Sequence, residues 1–345
     1  MDHTLEQISE VVPELLPIYL RRIDILHWIH CKGPIGRKQL AEKLNMTERP
    51  LRTESEFLKR QQFIYSTSSG MKLTPKGEEA LLNAQAIWKK QTSVYEQEML
   101  LKQTLSIKEA KIVSGNADYS DYRSHEMGLQ VSNYLNQQLD LGHHIIAITG
   151  GTTMLDVAKN FSKGLSHGRH FTVVAARGGF GDQLAAQANT ISDILAHQLN
   201  GANMSLYTPE KVSEETYRLL LTEPSIQETL TALNQADVLL FSVGDALTMA
   251  KRRGLDDNEI NQIREGKAVG EAFGCFYNEE GEIVYRLPRI GMQLKDLEHI
   301  ELPILIAGGA SKAEAIKAFA KLAPKQLVLF TDKGASTKVL YGESH

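Results

Sequence analysis

The chain has 345 residues, of which 42% are hydrophobic and 23% charged, and its formal net charge at pH 7 is −4. This composition is typical of a soluble globular protein long enough for two domains, and no apolar run reaches the length of a membrane span. Because the N-terminus lacks a secretory signal and the two cysteines, Cys31 and Cys275, lie far apart, we expect a cytoplasmic protein without a disulfide framework, a zinc cluster or a membrane partner.

Positive charge is concentrated near the N-terminus. Between Arg21 and Lys76 there are 12 Lys and Arg against 5 Asp and Glu, a net charge of +7, which leaves −11 for the rest of the chain. Neutralisation of phosphates supplies most of the non-specific affinity of a protein for nucleic acid. A basic segment attached to an acidic body therefore indicates a nucleic-acid-binding module.

The basic segment has the pattern of a helix-turn-helix. Apolar residues at helical spacing over 19–30 predict a first helix that ends before Gly33 and Pro34, and a short second helix follows. Thr47 is placed as the N-cap of a third helix, which runs from Glu48 to about residue 60. This order of helices and turns favours a helix-turn-helix motif, in which the second helix of the pair binds DNA.

A hairpin completes the N-terminal module. The stretch FIYSTSSGMKLT contains two short β runs around a Ser-Ser-Gly turn, so residues 1–76 are predicted to form a winged helix-turn-helix. The alternative is a generic helical domain with a solvated charged face. Operator double-stranded DNA is the expected partner, with Arg49 and Arg52 in the major groove and the other cations on phosphates. The predicted DNA-binding residues are Arg37, Lys38, Thr47, Arg49, Arg52, Thr53 and Lys72.

Residues 77–104 carry almost no turn signals and are predicted to form one long linker helix. Leu81, Trp88 and Tyr95 recur every seven residues, which fits either dimerisation through this helix or ordinary packing against the body. One recognition helix reads few base pairs, and helix-turn-helix proteins commonly pair copies on DNA. We therefore expect a homo-oligomer, a dimer or a tetramer.

The body, residues 105–345, alternates strand-like and helix-like segments. Such alternation predicts a doubly wound, mostly parallel sheet with helices on both faces, an α/β class of Rossmann-like architecture. Ligands of open α/β sheets bind at the carboxyl ends of the strands. A binding site is therefore expected at the carboxyl ends of the predicted strands.

Four predicted strand ends are rich in glycine, and most carry a cation. They comprise residues 150–153, residues 177–179, residues 244–245 with Arg252 and Arg253 behind them, and residues 308–312. Any one of them has the composition of an ordinary turn between a strand and a helix. In AITGGTTMLDVAK, however, the glycines and threonines open a helix whose N-terminal amides favour an anion. Several such turns on one edge predict a site for a small phosphorylated ligand.

Motifs along nearly the whole chain resemble the SorC family of transcriptional repressors. They are TERPLRTESEFLKRQ, ITGGTTM, ARGGFG, QANTI, GDALTMAKRR, EAFG, GMQL and AGGASKAEAI. The resemblance implies a repressor of glycolytic genes with an effector domain of the phosphosugar isomerase and deaminase fold. It also implies fructose-1,6-bisphosphate as the effector, with no cofactor.

The resemblance further implies roles for particular residues. Gly151, Thr152 and Thr153 would hold one phosphate together with Arg177 and Lys312. Arg252 would meet the other phosphate, and Glu271 and Asp245 would lie near the sugar hydroxyls or organise the arginines. The full predicted effector set is Gly150, Gly151, Thr152, Thr153, Arg177, Gly178, Asp245, Arg252, Glu271 and Lys312.

The alternative function is a sugar-phosphate isomerase or deaminase. Such an enzyme needs a base in the pocket, for which Glu271, Asp245 or Asp182 could be nominated. The Lys-Gly-Gly-Gly and Gly-Ala-Asp-Glu turns of the catalytic relatives are absent, and the DNA-binding module would have no purpose in an enzyme. We therefore predict a regulator without catalytic residues.

Overall fold

The structure, a computed structural model, describes residues 15–44, 46–91, 93–113, 116–119, 122–179, 184–209 and 213–342. The chain divides into two compact units, residues 1–96 and residues 97–345. The segment predicted as a linker is shared between them, because the division lies inside 77–104. Among the described residues, no helix is long and apolar enough to cross a membrane.

The first unit contains the predicted helices and hairpin. Its elements are α1 (Leu15–Lys32), α2 (Arg37–Lys43), α3 (Glu48–Arg60), β1 (Ile64–Thr67) and β2 (Gly70–Leu73). The two strands pair antiparallel, and Thr67 lies opposite Gly70 across the turn. The element order predicted from the sequence is confirmed.

The core of the first unit comes from the apolar faces of these elements. Leu40 of α2 and Leu51 and Leu58 of α3 are at most 1% exposed and pack in one cluster. A bridge between Ile35 and Met71 ties the hairpin to the segment before α2. This packing leaves the opposite face of α3 in solvent.

The start of α3 differs in one detail from the prediction. Thr47 occupies the N-cap position with extended backbone, but its side chain accepts no capping hydrogen bond. The helix is fixed instead by tertiary contacts, among them an ion pair of 2.8 Å between Arg22 Nε and Glu54 Oε2. The position of the helix was predictable from Thr47, and the capping bond was not.

The predicted linker is helical on both sides of Thr92, which lies outside the described residues; the helical stretches are α4 (Pro75–Gln91) and α5 (Ser93–Leu105). Leu81 of α4 packs in the core of the first unit, which is neither of the two roles predicted for it. The side chains of Trp88 and Tyr95 are not among those described, so dimerisation through this helix stays a prediction.

The body is built on a seven-stranded parallel sheet, as predicted. The order is β3-β13-β12-β7-β4-β5-β6, and every neighbouring pair is parallel. The strands are β3 (Glu109–Val113), β4 (Gly142–Ile148), β5 (Arg169–Ala175), β6 (Ala202–Met204), β7 (Val238–Phe241), β12 (Leu302–Ile306) and β13 (Val328–Asp332). The chain order reverses between β4 and β7, which is the topological switch point where such sheets bind ligands.

Helices connect and cover the strands of the body. They are α6 (Tyr122–Gln138), α7 (Thr152–Lys159), α8 (Ala188–Gln198), α9 (Glu214–Leu220), α10 (Pro224–Asn234), α11 (Ala246–Arg252), α12 (Asp257–Glu265), α13 (Ala313–Leu322) and α14 (Lys333–Tyr341). The central strands are apolar throughout, because helices shield both faces; β7 and β12 are buried at every position. The doubly wound architecture is thereby confirmed.

A second, antiparallel sheet was not predicted. Its order is β11-β10-β9-β8, with β8 (Gly244–Asp245), β9 (Ala268–Ala272), β10 (Cys275–Asn278) and β11 (Ile283–Arg286). It packs on α13, where the buried Tyr277 hydroxyl donates to the Ala315 carbonyl at 3.1 Å. This sheet carries Glu271 on its inner strand β9, beside the switch point.

Candidate functional site

A cavity of about 600 Å³ opens at the switch point of the parallel sheet. Its lining comes from the ends of β4, β5 and β7, from α11, from the antiparallel sheet and from the turn before α13. The lining includes Thr149, Gly150, Gly151, Thr152, Thr153, Arg177, Ser242, Gly244, Asp245, Arg252, Arg253, Glu271, Arg289, Ser311 and Lys312. Nine of the ten predicted effector residues are among them, and Gly178 is not.

The turn between β4 and α7 presents backbone amides to the cavity. Gly151 is the N-cap residue of α7 at φ 120°, a conformation that glycine adopts without strain, and Thr152 and Thr153 form the first turn of the helix. The first N–H groups of a helix have no acceptor inside the helix. Gly150 leaves room for Arg177, since a Cβ there would lie 2.3 Å from Arg177 Nη2.

Lys312 reaches the same helix N-terminus from the end of β12. Its Nζ donates to Thr153 Oγ1 at 3.3 Å. Burial lowers the pKa of this ammonium; Asp118 and Asp332 act in the opposite direction, and nearby Arg252 lowers the pKa further. Lys312 is thus a half-buried cation that faces the N-terminal end of α7.

The opposite wall of the cavity is a cluster of arginines around one carboxylate. Glu271 is 3% exposed and accepts from Arg253 Nη2 at 2.8 Å and from the Gly274 amide at 2.7 Å. Burial and, to a smaller extent, the charge of Arg253 lower the pKa of Arg177 to about 10, against partial compensation by Glu271. Glu271 therefore organises the arginines, one of the two roles expected for it.

Two lining arginines were absent from the predicted site. Arg253 follows the third predicted strand end but is not in the predicted effector set, and Arg289 lies outside all four predicted strand ends. Arg289 is 3% exposed. Its burial and, to a smaller extent, the charges of Arg253 and Arg177 lower its pKa to about 9. Its Nη2 donates to the Met292 carbonyl at 2.5 Å. The signal in the sequence was a lone arginine inside the apolar stretch LPRIGM, since buried cations usually serve a partner.

Two predicted residues have structural tasks. Gly178 lies outside the lining and packs on the neighbouring loop, where a Cβ would be 2.2 Å from the Thr208 carbonyl oxygen. Asp245 is on the rim, and its side chain caps α11 by accepting from the Thr248 amide at 2.8 Å. Asp182, nominated as a base for the enzyme alternative, is not among the described residues.

The predicted DNA-binding residues lie on the surface of the first unit. Six of them are exposed, and Lys72 on β2 is half-buried. Arg52 Nε donates to Glu56 Oε1 at 2.8 Å along the exposed face of α3. Their contact with DNA stays a prediction, and their exposure is compatible with it. The six exposed residues are Arg37, Lys38, Thr47, Arg49, Arg52 and Thr53.

Metal binding finds no support in the part of the chain that the structure describes. No group of three or more His, Cys, Asp or Glu side chains is placed there to hold an ion. Neither Cys31, which is half-buried, nor Cys275, which is buried, forms a disulfide.

Comparison with known proteins connects both units to one family. The family model of the CggR N-terminal DNA binding domain matches residues 18–87, and the model described as "Putative sugar-binding domain" matches residues 89–341. The central glycolytic genes regulator of Priestia megaterium is 38% identical over 340 residues, which are 99% of each chain. The regulator of the same name from Bacillus subtilis is 37% identical over 343 residues, 99% of this chain and 100% of the relative.

The chain belongs to the SorC family of transcriptional regulators, in the group of central glycolytic genes regulators. A crystal structure of a "putative SorC family transcriptional regulator" from Enterococcus faecalis matches with a TM-score of 0.68 and 43% identity, and covers 71% of this chain and 99% of that one. This SorC-family chain is therefore a regulator with a DNA-binding and a sugar-binding domain, and the enzyme alternative is set aside.

Proposed function

We propose that this SorC-family chain represses glycolytic genes and that fructose-1,6-bisphosphate, or a related phosphosugar, controls its affinity for operator DNA. The effector occupies the cavity at the switch point, and the exposed face of α3 reads the operator. The names of the two Bacillaceae relatives support the target genes, and the cavity supports the class of effector.

The charge of the cavity lining carries the proposal. Among the described residues that form it, five are cations and two are carboxylates. A phosphate monoester carries about −1.5 to −2 charges at neutral pH. A bisphosphate therefore neutralises the excess positive charge, whereas a neutral sugar leaves it buried and uncompensated. The cations are Arg177, Arg252, Arg253, Arg289 and Lys312, and the carboxylates are Asp245 and Glu271.

The cations form two groups, which suits a ligand with two anionic ends. Lys312 and Arg252 lie by the N-terminus of α7, where backbone amides and the helix dipole add to their attraction for phosphate. Arg253 and Arg289 form the second group, around Glu271, and Arg177 lies between the two groups beside Gly150. Guanidiniums bind phosphate through forked hydrogen bonds. The electrostatic neighbours of Lys312 favour Arg252 in the first group, although the resemblance assigned it to the other phosphate.

Control of DNA binding requires that the effector bind one conformation of the regulator more tightly than another. A ligand with equal affinity for the operator-binding and operator-free states changes nothing. A coupling of about 1–3 kcal/mol per site is typical of allosteric proteins. We propose that the free oligomer binds the operator and that the occupied one does not match its half-sites.

A titration of the full-length chain on an operator, selected from random duplexes, tests the proposal. We expect fructose-1,6-bisphosphate to weaken operator binding by at least about fivefold, which corresponds to the lower end of allosteric coupling. Fructose 6-phosphate is expected to act less strongly and fructose not at all. Operator affinity and oligomeric state that both stay unchanged with the bisphosphate would overturn the proposal.

Two variants separate the two partners in the same titration. Arg177→Ala removes a cavity guanidinium, and we expect operator binding without a response to the bisphosphate. Arg52→Ala removes an exposed cation of α3, and we expect weak operator binding with normal binding of the bisphosphate. A normal response of Arg177→Ala to the bisphosphate would show that the cavity is not the effector site.

A further inference from the structure

The turn that carries Lys312 has its backbone amides already bonded within the protein. The Gly309 amide donates to Asp332 Oδ2 at 2.8 Å, the Ala310 amide to Asn116 Oδ1 at 3.3 Å and the Ser311 amide to Asp118 Oδ2 at 2.9 Å. The amides of residues 309–311 in this glycine-rich turn are therefore already occupied. Its contribution to the cavity is through side chains, chiefly Lys312.

Asp118 contacts this turn at two points. In addition to the Ser311 amide, it accepts from Ser311 Oγ through Oδ1 at 2.7 Å. Its approach depends on Gly309, which lies at φ 96°, because a Cβ there would be 2.2 Å from Asp118 Oδ1. Asp118 comes from the segment between β3 and α6, far from Ser311 in sequence.

The ammonium of Lys312 depends on how this turn is held. Lys312 directly follows Ser311, its Nζ lies 3.3 Å from Thr153 Oγ1, and burial lowers its pKa. A long side chain that is held in one orientation loses conformational entropy. This loss is smaller when the backbone that carries the side chain is already fixed. The carboxylate of Asp118 also favours the charged form of Lys312.

We propose that Asp118 is a positioning residue for effector binding: it holds Ser311 by two hydrogen bonds and thereby sets Lys312 against the N-terminus of α7. This inference rests on the proposed function for the phosphate at α7. Asp118 does not line the cavity and acts through Lys312, so its contribution depends on the presence of the lysine.

A double-mutant cycle on the full-length chain tests this dependence, with fructose-1,6-bisphosphate as the probe in calorimetric titrations. We expect Asp118→Asn to weaken binding about tenfold in the wild-type background and to change it by less than about twofold in the Lys312→Met background. Ser311→Ala removes only the hydroxyl bond and is expected to have a smaller effect of the same kind. An equal loss in both backgrounds, or no loss with Asp118→Asn, would overturn the inference.

A second measurement needs no effector. Acetylation of Lys312 by a water-soluble ester, followed by mass spectrometry, reports how firmly the ammonium is held. We expect faster labelling of Lys312 in Asp118→Asn and Ser311→Ala, with Lys317 on α13 as the unchanged control. Unchanged labelling of Lys312 would contradict the inference. If the wild type binds no sugar phosphate, the proposed function fails, and this labelling still decides whether Asp118 positions Lys312.

Discussion

At the scale of single residues, the cavity holds guanidiniums at an electrostatic disadvantage. Burial and neighbouring arginines lower the pKa of both Arg177 and Arg289, so their charged forms are less stable here than in water. Glu271 opposes this effect at both arginines, and Cys275 also opposes it at Arg289. The arginines are therefore better explained by an anionic partner than by the stability of the fold.

Arg289→Met should move stability and binding in opposite directions. Replacement of a buried ion by an apolar side chain of similar size is often neutral or stabilising, so we expect an unchanged or higher melting temperature without effector. Loss of a charge-assisted contact should weaken binding of fructose-1,6-bisphosphate by about tenfold or more. Differential scanning calorimetry and titration calorimetry measure the two effects.

The control for this substitution is Arg264→Met, which removes an exposed arginine of α12 outside the cavity and should leave both quantities unchanged. A lower melting temperature together with normal affinity in Arg289→Met would show that this guanidinium serves the fold.

At the scale of elements, α3 offers two glutamates in different environments. The Glu54 side chain is 11% exposed and pairs with Arg22 of α1, whereas Glu56 is exposed and pairs with Arg52 one turn away on the same helix. We expect Glu54→Gln to destabilise the first unit by about 1 to 2 kcal/mol, since it weakens a bond between charged partners that joins two helices. Glu56→Gln, the matched substitution, should change its stability little, because exposed ion pairs contribute little.

Hydrogen exchange of the α3 amides measures this difference. Faster exchange is expected in Glu54→Gln and not in Glu56→Gln. Equal exchange in the two variants would mean that the ion pair between α1 and α3 does not stabilise the helix.

The predictable elements are those with a regular spacing of apolar residues and a residue that clearly ends the element. The central strands β7 and β12 are continuous apolar runs, and glycines follow β4, β7 and β12 closely. The rule that ligands bind at carboxyl ends then indicated Gly150, Thr152 and Lys312. The antiparallel sheet was missed because its strands are short, and β8 has only two residues. Arg289 was missed for a related reason, because it lies in a loop that only the tertiary fold brings to the cavity.

At the scale of the whole molecule, the division into two units has a thermodynamic consequence. A ligand stabilises the unit that binds it, by about 2.7 kcal/mol at a concentration 100 times its dissociation constant. All residues that line the cavity belong to the second unit. We therefore expect calorimetry of the full-length chain with fructose-1,6-bisphosphate to shift the transition of the second unit and leave that of the first.

Truncation gives the control for this assignment, because a chain of residues 97–345 should show the same shift as the second transition of the full-length protein. Equal shifts of both transitions would mean that the two units unfold as one.

Helix α5 is anchored in the body, and a small tilt of this helix produces a displacement of several ångströms at its far end. The Ile112 amide of β3 donates to Glu98 Oε1 of α5 at 2.8 Å, and Glu98 is 5% exposed, so this helix is fixed to the edge strand of the sheet. A helix of 13 residues is about 20 Å long at 1.5 Å per residue, so a tilt of about 10° at one end displaces the other by about 3 Å. That displacement is close to the rise of about 3.4 Å between stacked bases on one strand of DNA. A tilt of α5 by about 10° thus corresponds in length to about one base step of a duplex.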